Sequence, residues 1–262
     1  MCNYKGNKKR YASKIITAIT ADLASDNIDI TDDTYFVDLF CGGGNMVENV
    51  SFKNRIANDI NPYVISYLRR IQEEGADWLL EPFYWNITPE IYNIFREDYK
   101  KETGRFSQAC LGHVGCNFSY GSNFFGGYNN TEKETPYSFA KRAYTKACKE
   151  HELLQGVRLL NMDYRQVYIP RGSIVYCDIP YEGTSNYGNK FSTKEFLEYA
   201  KYLTEQGNYV YYSEYNAPLP EAYVEGIIID EILNYNVPKL FGNGVKSSNH
   251  IGNRNSTMKE VA

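Results

Sequence analysis

No run of about 18 apolar residues occurs in the sequence, so nothing in it reads as a membrane span. Met1 to Arg10 is polar and basic without the apolar stretch of a signal peptide, and the chain is expected to stay in the cytoplasm. There is no C-x-x-C pair and no His/Cys cluster at zinc spacing. Cys2, Cys41, Cys110, Cys116, Cys148 and Cys177 therefore read as reduced thiols, and no metal is expected. The dinucleotide fingerprint G-x-G-x-x-G fails at Val47, which disfavours a nicotinamide cofactor, and the absence of Gly-Lys-Ser/Thr excludes a P-loop. A formal net charge of -4 argues against a surface coated by nucleic acid.

What is present is ordinary globular material. Apolar residues make up 43% and charged residues 23%, which excludes a collagen, a coiled coil and a wholly disordered chain. A length of 262 residues suits one large domain, or a domain carrying an insertion. Charge is unevenly spread: Lys5, Lys8, Lys9, Arg10 and Lys14 meet no acid before residue 20, while Asp22, Asp26, Asp29, Asp32 and Asp33 follow together. A local basic face is compatible with the acidic total. Tyrosine is abundant at 25 residues, serving either an ordinary core or stacking on bases.

Tyr35 to Phe40 is a short β-favouring run that stops at Cys41-Gly42-Gly43-Gly44-Asn45, after which Met46, Val47 and Val50 fall at helical spacing. This predicts strand, glycine-rich turn, helix. Arg55 to Ile60 predicts a second strand ending in an acid, and Asn61-Pro62 opens a helix through Val64, Leu68 and Ile71. Ser173 to Asp178 predicts a strand stopped by Pro180, followed by a Gly/Ser/Asn-rich loop over 183–189, a helix over 192–205 and a strand over 209–213. Strands alternating with helices at both ends of the chain imply an α/β fold, a mostly parallel sheet with helices on both faces. Residues 74–150 lose that alternation and become rich in aromatics, Gly and Asn, so they are expected to form an insertion with helices and an irregular loop or hairpin.

Three features carry chemistry. Gly42-Gly43-Gly44 lets backbone N–H groups approach a ligand closely. Asp59, closing the second strand, stands where acids take ribose hydroxyls in doubly wound folds, and equally where an acid favours a helix N-terminus. Asp178-Ile179-Pro180-Tyr181 places a carboxylate, a backbone carbonyl restricted by the following proline, and an aromatic face on one turn at the end of a strand. The carboxylate and the carbonyl can each accept one N–H of an exocyclic amine while the ring stacks on the base.

With these motifs the chain resembles the Dam-type DNA adenine methyltransferases, which carry F-x-G-G-G before D-P-P-Y. Phe40 to Gly44 matches the first motif; Asp178 to Tyr181 matches the second except at Ile179, where only the backbone carbonyl is needed. Tyr4-Lys5-Gly6-Asn7-Lys8 is similar to the family's W-x-G-x-K. The stretch from Asn117 to Tyr128 loosely matches its central R-F-N-x-x-G-x-F-N-V-P-F-G-x-Y segment at Asn117, Gly121, Phe124, Gly126 or Gly127, and Tyr128, without the leading Arg.

The resemblance implies a Rossmann-like methyltransferase fold formed by 1–73 and 151–262, with 74–150 as an inserted target-recognition region. It implies S-adenosylmethionine as cofactor: Tyr4, Gly6 and Lys8 at its methionine end, Asp38, Phe40, Cys41, Gly42, Gly43 and Gly44 in the turn around it, Asp59 at the ribose, and Asp163 with Tyr164 at the adenine. Asp178, Ile179, Pro180 and Tyr181 would form the catalytic turn on a base flipped from double-stranded DNA. Asn117, Tyr120, Asn123, Tyr128, Lys141 and Arg142 are the expected DNA contacts, with Lys146 and Lys149 as further phosphate candidates. The implied protein is a monomeric, site-specific methyltransferase of a bacterial or phage restriction-modification setting. The same carboxylate, carbonyl and ring accept any planar exocyclic amine, so a cytosine amino-methyltransferase, an RNA methyltransferase and a non-catalytic nucleic-acid-binding module remain as alternatives.

Overall fold

The computed structural model describes residues 11–130, 135–180 and 191–214, together with the backbone of two further strands, 227–230 and 239–243. The helices are α1 (Ala12–Ser25), α2 (Pro62–Glu74), α3 (Pro89–Lys101), α4 (Gln108–Asn117), α5 (Pro136–Leu153) and α6 (Thr193–Glu205). The strands are β1 (Tyr35–Asp38), β2 (Asn54–Asn58), β3 (Val157–Leu160), β4 (Ile174–Cys177), β5 (Tyr209–Glu214), β6 (Ile227–Asp230) and β7 (Lys239–Asn243). They form one sheet in the order β3-β2-β1-β4-β5-β7-β6. β1, β4 and β5 run parallel, and β7 lies antiparallel to both β5 and β6. The expected mostly parallel α/β fold is present.

Of the described residues, one compact unit takes Cys41–Asn49 and Ala57–Tyr164, and a second takes Tyr11–Phe40, Val50–Ile56 and the chain from Arg165 on. In the second unit every residue of β4 is buried, as a central parallel strand requires. Its register pairs Val37 with Val175 and Asp38 with Tyr176, then Tyr176 with Tyr211 and Cys177 with Tyr212. Two of the buried tyrosines bond their hydroxyls inside: Tyr176 bonds Ser213 Oγ at 2.8 Å, and Tyr211 donates to Asp22 of α1 at 2.9 Å. The tyrosine excess therefore goes in good part into the core, where each ring buries apolar area.

In the first unit, Asn61 caps α2 by accepting from the backbone N–H groups of Tyr63 and Val64, and Pro62 occupies a first-turn position. α2 buries Val64, Ile65, Tyr67, Leu68 and Ile71. At roughly 1.5–3 kcal/mol per fully buried large apolar side chain, that face outweighs its modest helix propensity. α4 lies close against it: a Cβ on Gly112 would run into the Tyr63 carbonyl and come within 2.8 Å of Tyr67 Cβ. A second core gathers Tyr92 and Phe95 of α3, Leu111, Val114 and Phe118 around α4, Phe125, and Phe139 of α5.

Two expectations are corrected. The glycine-rich turn does not lead into a helix; Glu48 N bonds Gly44 O at 3.2 Å and Asn49 N bonds Met46 O at 3.0 Å, and the turn goes no further. Gly42 and Gly44 hold positive φ of 47° and 80°, outside the right-handed helical region. Four cysteines, Cys41, Cys110, Cys148 and Cys177, are free thiols, but Cys116 is disulfide-bonded. Among the described residues no helix is long and apolar enough to cross a membrane.

Candidate active site

The strand order reverses between β1 and β4, so the carboxyl ends of these neighbours form the switch point where open α/β sheets bind ligands. Asp38 ends β1 and is 1% exposed; Leu39 N–H, just beyond, bonds Tyr176 O at 3.0 Å. Asp178 follows β4 half-buried, then Ile179 at 2% exposure and Pro180. Burial pushes the Cys177 thiol well above its ordinary pKa, and the nearby Asp38 and Asp178 carboxylates push it further, keeping it a neutral thiol. Burial and then Asp178 do the same for the Tyr176 hydroxyl. The strand end thus concentrates acidic charge without a competing nucleophile. Phe40 packs edge-on against Phe191 and Phe196, with centroids 5.9 and 6.0 Å away, which fixes an apolar wall after β1. Tyr181, like Tyr4, Gly6 and Lys8, lies outside the described residues.

The turn after β1 is built within the other unit. Cys41 N–H bonds Asn58 O at 2.8 Å, and Gly42 N–H donates to Asp59 Oδ2 at 2.8 Å. The other oxygen of Asp59 accepts from Asn61 N–H at 2.8 Å. One buried carboxylate therefore ties the glycine turn to the end of β2 and to the start of α2. Asn45 is 4% exposed, and its Oδ1 has no hydrogen-bond partner among the described residues. Asp163 is brought close in chain terms to Asp59 by a side-chain ladder: Asn58 exchanges bonds with the Met162 backbone at 3.0 and 3.1 Å, and Asn161 donates to Asp59 O at 2.8 Å. Asp163 and Tyr164 are half-buried at the entry to a short 3-10 turn, Tyr164–Gln166.

The expected DNA contacts are sorted by exposure. Asn117 is buried at the end of α4 and donates to His113 O at 3.1 Å. Tyr120 is 65% exposed at the tip of the loop that follows. That loop is closed by a bridge between Ser119 and Tyr128 and by Tyr120 N–H to Gly127 O at 2.8 Å. Asn123 braces the turn by accepting from Gly126 N–H at 2.7 Å, and Tyr128 donates to Ile87 O at 2.9 Å. Lys141 and Arg142 are exposed on α5.

Comparison with known proteins decides the affiliation. The sequence profile of the D12 class N6 adenine-specific DNA methyltransferase family matches residues 4–211. The chain belongs to that family. It is also 26% identical over 209 residues to the Type II methyltransferase M.FokI of Planomicrobium okeanokoites, an alignment taking in 72% of this chain and 30% of that relative. The chain thus spans about 30% of the length of the curated relative it matches.

For a D12-class chain, the sequence motifs missed a buried polar network. Tyr67 OH donates to Glu150 Oε2 at 2.9 Å, and both residues are fully buried. Burial, then Glu150 and more weakly Glu48, hold the Tyr67 hydroxyl far above its ordinary pKa. His113 is 0% exposed among Tyr67, Trp78, Tyr84 and Phe118, and burial, followed by the charge of Lys146, lowers its pKa to about 3. Its Nε2 and the Trp78 Nε1 have no partner among the described residues. Nothing in local sequence marks these positions, because their partners lie far along the chain.

Proposed function

We propose that the chain transfers a methyl group from S-adenosylmethionine to the exocyclic amino group of adenine in DNA. The observation that carries this reading is Asp178-Ile179-Pro180 at the carboxyl end of β4, beside the end of β1, in a chain of the D12 class. The residues present fit the methyl donor on structural grounds. The turn at Gly42 and Gly44 is left-handed, so its backbone is open to close approach, and Asn45 offers a buried acceptor with no protein partner among the described residues. Asp38 with Phe40 to Gly44 would hold the methionine end together with Tyr4, Gly6 and Lys8, Asp59 the ribose hydroxyls, and Asp163 with Tyr164 the adenine.

When bound, S-adenosylmethionine supplies a methyl group already made electrophilic by its sulfonium. What remains for the protein is orientation. The Asp178 carboxylate and the Ile179 carbonyl each accept one N–H of the target amine, which aims the nitrogen lone pair at the methyl group. As the new N–C bond forms, the S–CH3 bond would break with its electron pair going to sulfur, leaving a neutral thioether; the positive charge passes to the nitrogen, where the Asp178 carboxylate stabilises it until the amine proton leaves to solvent. Tyr181 stacks on the flipped base. Ile179 replaces a proline of the family motif, and its buried side chain anchors the turn where the ring would have stiffened it.

Residues 74–150 supply target recognition through the loop that carries Tyr120, Asn123 and Tyr128, with Asn117 fixing its root. The enzyme works as a monomer in the bacterial cytoplasm, on its own or beside a restriction endonuclease. The test is transfer of a labelled methyl group to mixed-sequence duplex DNA followed by nucleoside digestion. Label in N6-methyldeoxyadenosine is expected; label in N4-methyldeoxycytidine, or only in RNA, would overturn the adenine assignment.

A further inference from the structure

We infer that the outer face of α5 is a phosphate-binding strip that runs along the DNA backbone beside the target; this rests on the DNA-methyltransferase reading and deepens it. α5 divides sharply. Phe139, Ala140, Ala143, Ala147 and Glu150 are buried, while Tyr137, Lys141, Arg142, Thr145 and Lys149 are exposed and Lys146 is half-buried. Four cations thus occupy nine consecutive residues, 141–149, in a chain whose net charge is -4. Such concentration against the overall sign is what a phosphate-binding face requires.

Two further observations fit a fixed surface and not a solvated charge run. The Arg142 guanidinium lies over the Phe139 ring, 4.7 Å from its centroid, so the stem is packed and the charge is presented at the rim. Trp85 packs against Tyr137 and Tyr144 with centroids 5.2 and 6.1 Å away, bracing the same side of the helix against the 3-10 segment Pro82–Asn86. Of the acids within α5, Glu150 points inward to Tyr67, and Glu152 is exposed three residues beyond Lys149. From Lys141 to Lys149 the helix rises about 12 Å. Phosphates of one strand advance about 3.4 Å each along the duplex axis and lie farther apart along the winding strand, so that length spans a short run of them. Contacts of this kind hold the duplex in register and carry no sequence information, which leaves base readout to the Tyr120 loop.

The experiment measures affinity for a fluorescent duplex across a salt series, comparing the wild-type chain with the triple variant Lys141→Gln, Arg142→Gln, Lys149→Gln. A second triple variant, Lys53→Gln, Arg158→Gln, Lys201→Gln, carries the same charge change on exposed residues elsewhere. Each lost phosphate contact lowers the slope of log affinity against log salt by about 0.9, so the α5 variant is expected to lose about 2.7 of slope. Between 50 and 200 mM salt the wild-type protein then loses about 40-fold more affinity than the variant does. S-adenosylmethionine binding by calorimetry stays unchanged. An unaltered slope in the α5 variant, or an equal loss in the control variant, overturns the strip while leaving DNA methylation standing. A wild-type chain that neither binds nor methylates duplex DNA overturns the functional reading itself, and the strip with it.

Discussion

Asp59 shows why single residues here carry more than one duty. Read from sequence, it was placed equally well at a ribose or at a helix start; in the structure its two oxygens accept from Gly42 and from Asn61, joining the glycine turn to α2. Charge-assisted bonds of this type contribute about 1.5–3 kcal/mol each, so the acid shapes the turn in addition to any ligand it meets. His113 is the opposite case, a residue with no sequence signal and a large physical consequence. Its native pKa of about 3 leaves it neutral in the fold, whereas the unfolded chain takes up that proton near pH 6.5. As pH falls below 6.5 the unfolded state gains a proton that the native state refuses, so stability present above that pH is lost toward pH 3. Urea unfolding is expected to show this as a loss of about 1.4 kcal/mol between pH 7.5 and 5.5 in the wild type. The variant His113→Phe, which keeps a ring in the aromatic box, should lack that increment; an unchanged difference between the two pH values would show that His113 is not its source.

At the scale of elements, the loop after α4 stores strain that its neighbours hold in place. Phe125 has a φ of 51° yet is 2% exposed, and Ser122 has a φ of 59°. Non-glycine residues in this region cost on the order of 1–3 kcal/mol each and persist only where the surroundings over-determine them. Here Arg96 of α3 donates to Phe125 O at 2.9 Å, Ser119 Oγ accepts from Phe125 N–H at 3.0 Å, and Tyr92 OH bonds the same Oγ at 2.8 Å. Arg96→Ala is expected to raise the KM for DNA several-fold, with kcat and methyl-donor affinity within about twofold of wild type. A KM that stays put while only thermal stability falls would make the clamp merely structural. Elements with local signals were readable: β1, β2, β4, α2 with its Asn61 cap, and α6 with its Ser192 cap follow directly from apolar runs and capping residues. β3 escaped because Val157-Arg158-Leu159-Leu160 is too short to show a period, and the helix expected after Gly44 failed because the turn ends in its own hydrogen bonds.

For the molecule as a whole, the order of motifs along the chain conveyed the architecture better than any one motif did. The strand ending in Asp38 and the strand leading to Asp178 stand more than a hundred residues apart in sequence, and the reversal of strand order makes them neighbours with Asp38 opposite Tyr176. Alternating strands and helices placed Asp178 at the carboxyl end of a strand, and the motif resemblance added Asp38. Sequence could not show that Asn117, an expected DNA contact, is buried, since α4 packs there against rings distant in sequence, Tyr67, Trp78 and Tyr84. The family profile over residues 4–211 agrees with this architecture. Asp178 is the residue proposed to aim the target amine without holding the methyl donor. Single-turnover transfer of a labelled methyl group to duplex DNA, run on the wild type and on Asp178→Ala with donor binding measured in parallel, tests it most directly. N6-methyldeoxyadenosine is expected from the wild type, with a fall of at least about a thousandfold in the variant and donor affinity retained. Transfer that survives in Asp178→Ala, or donor binding lost with it, would contradict that role.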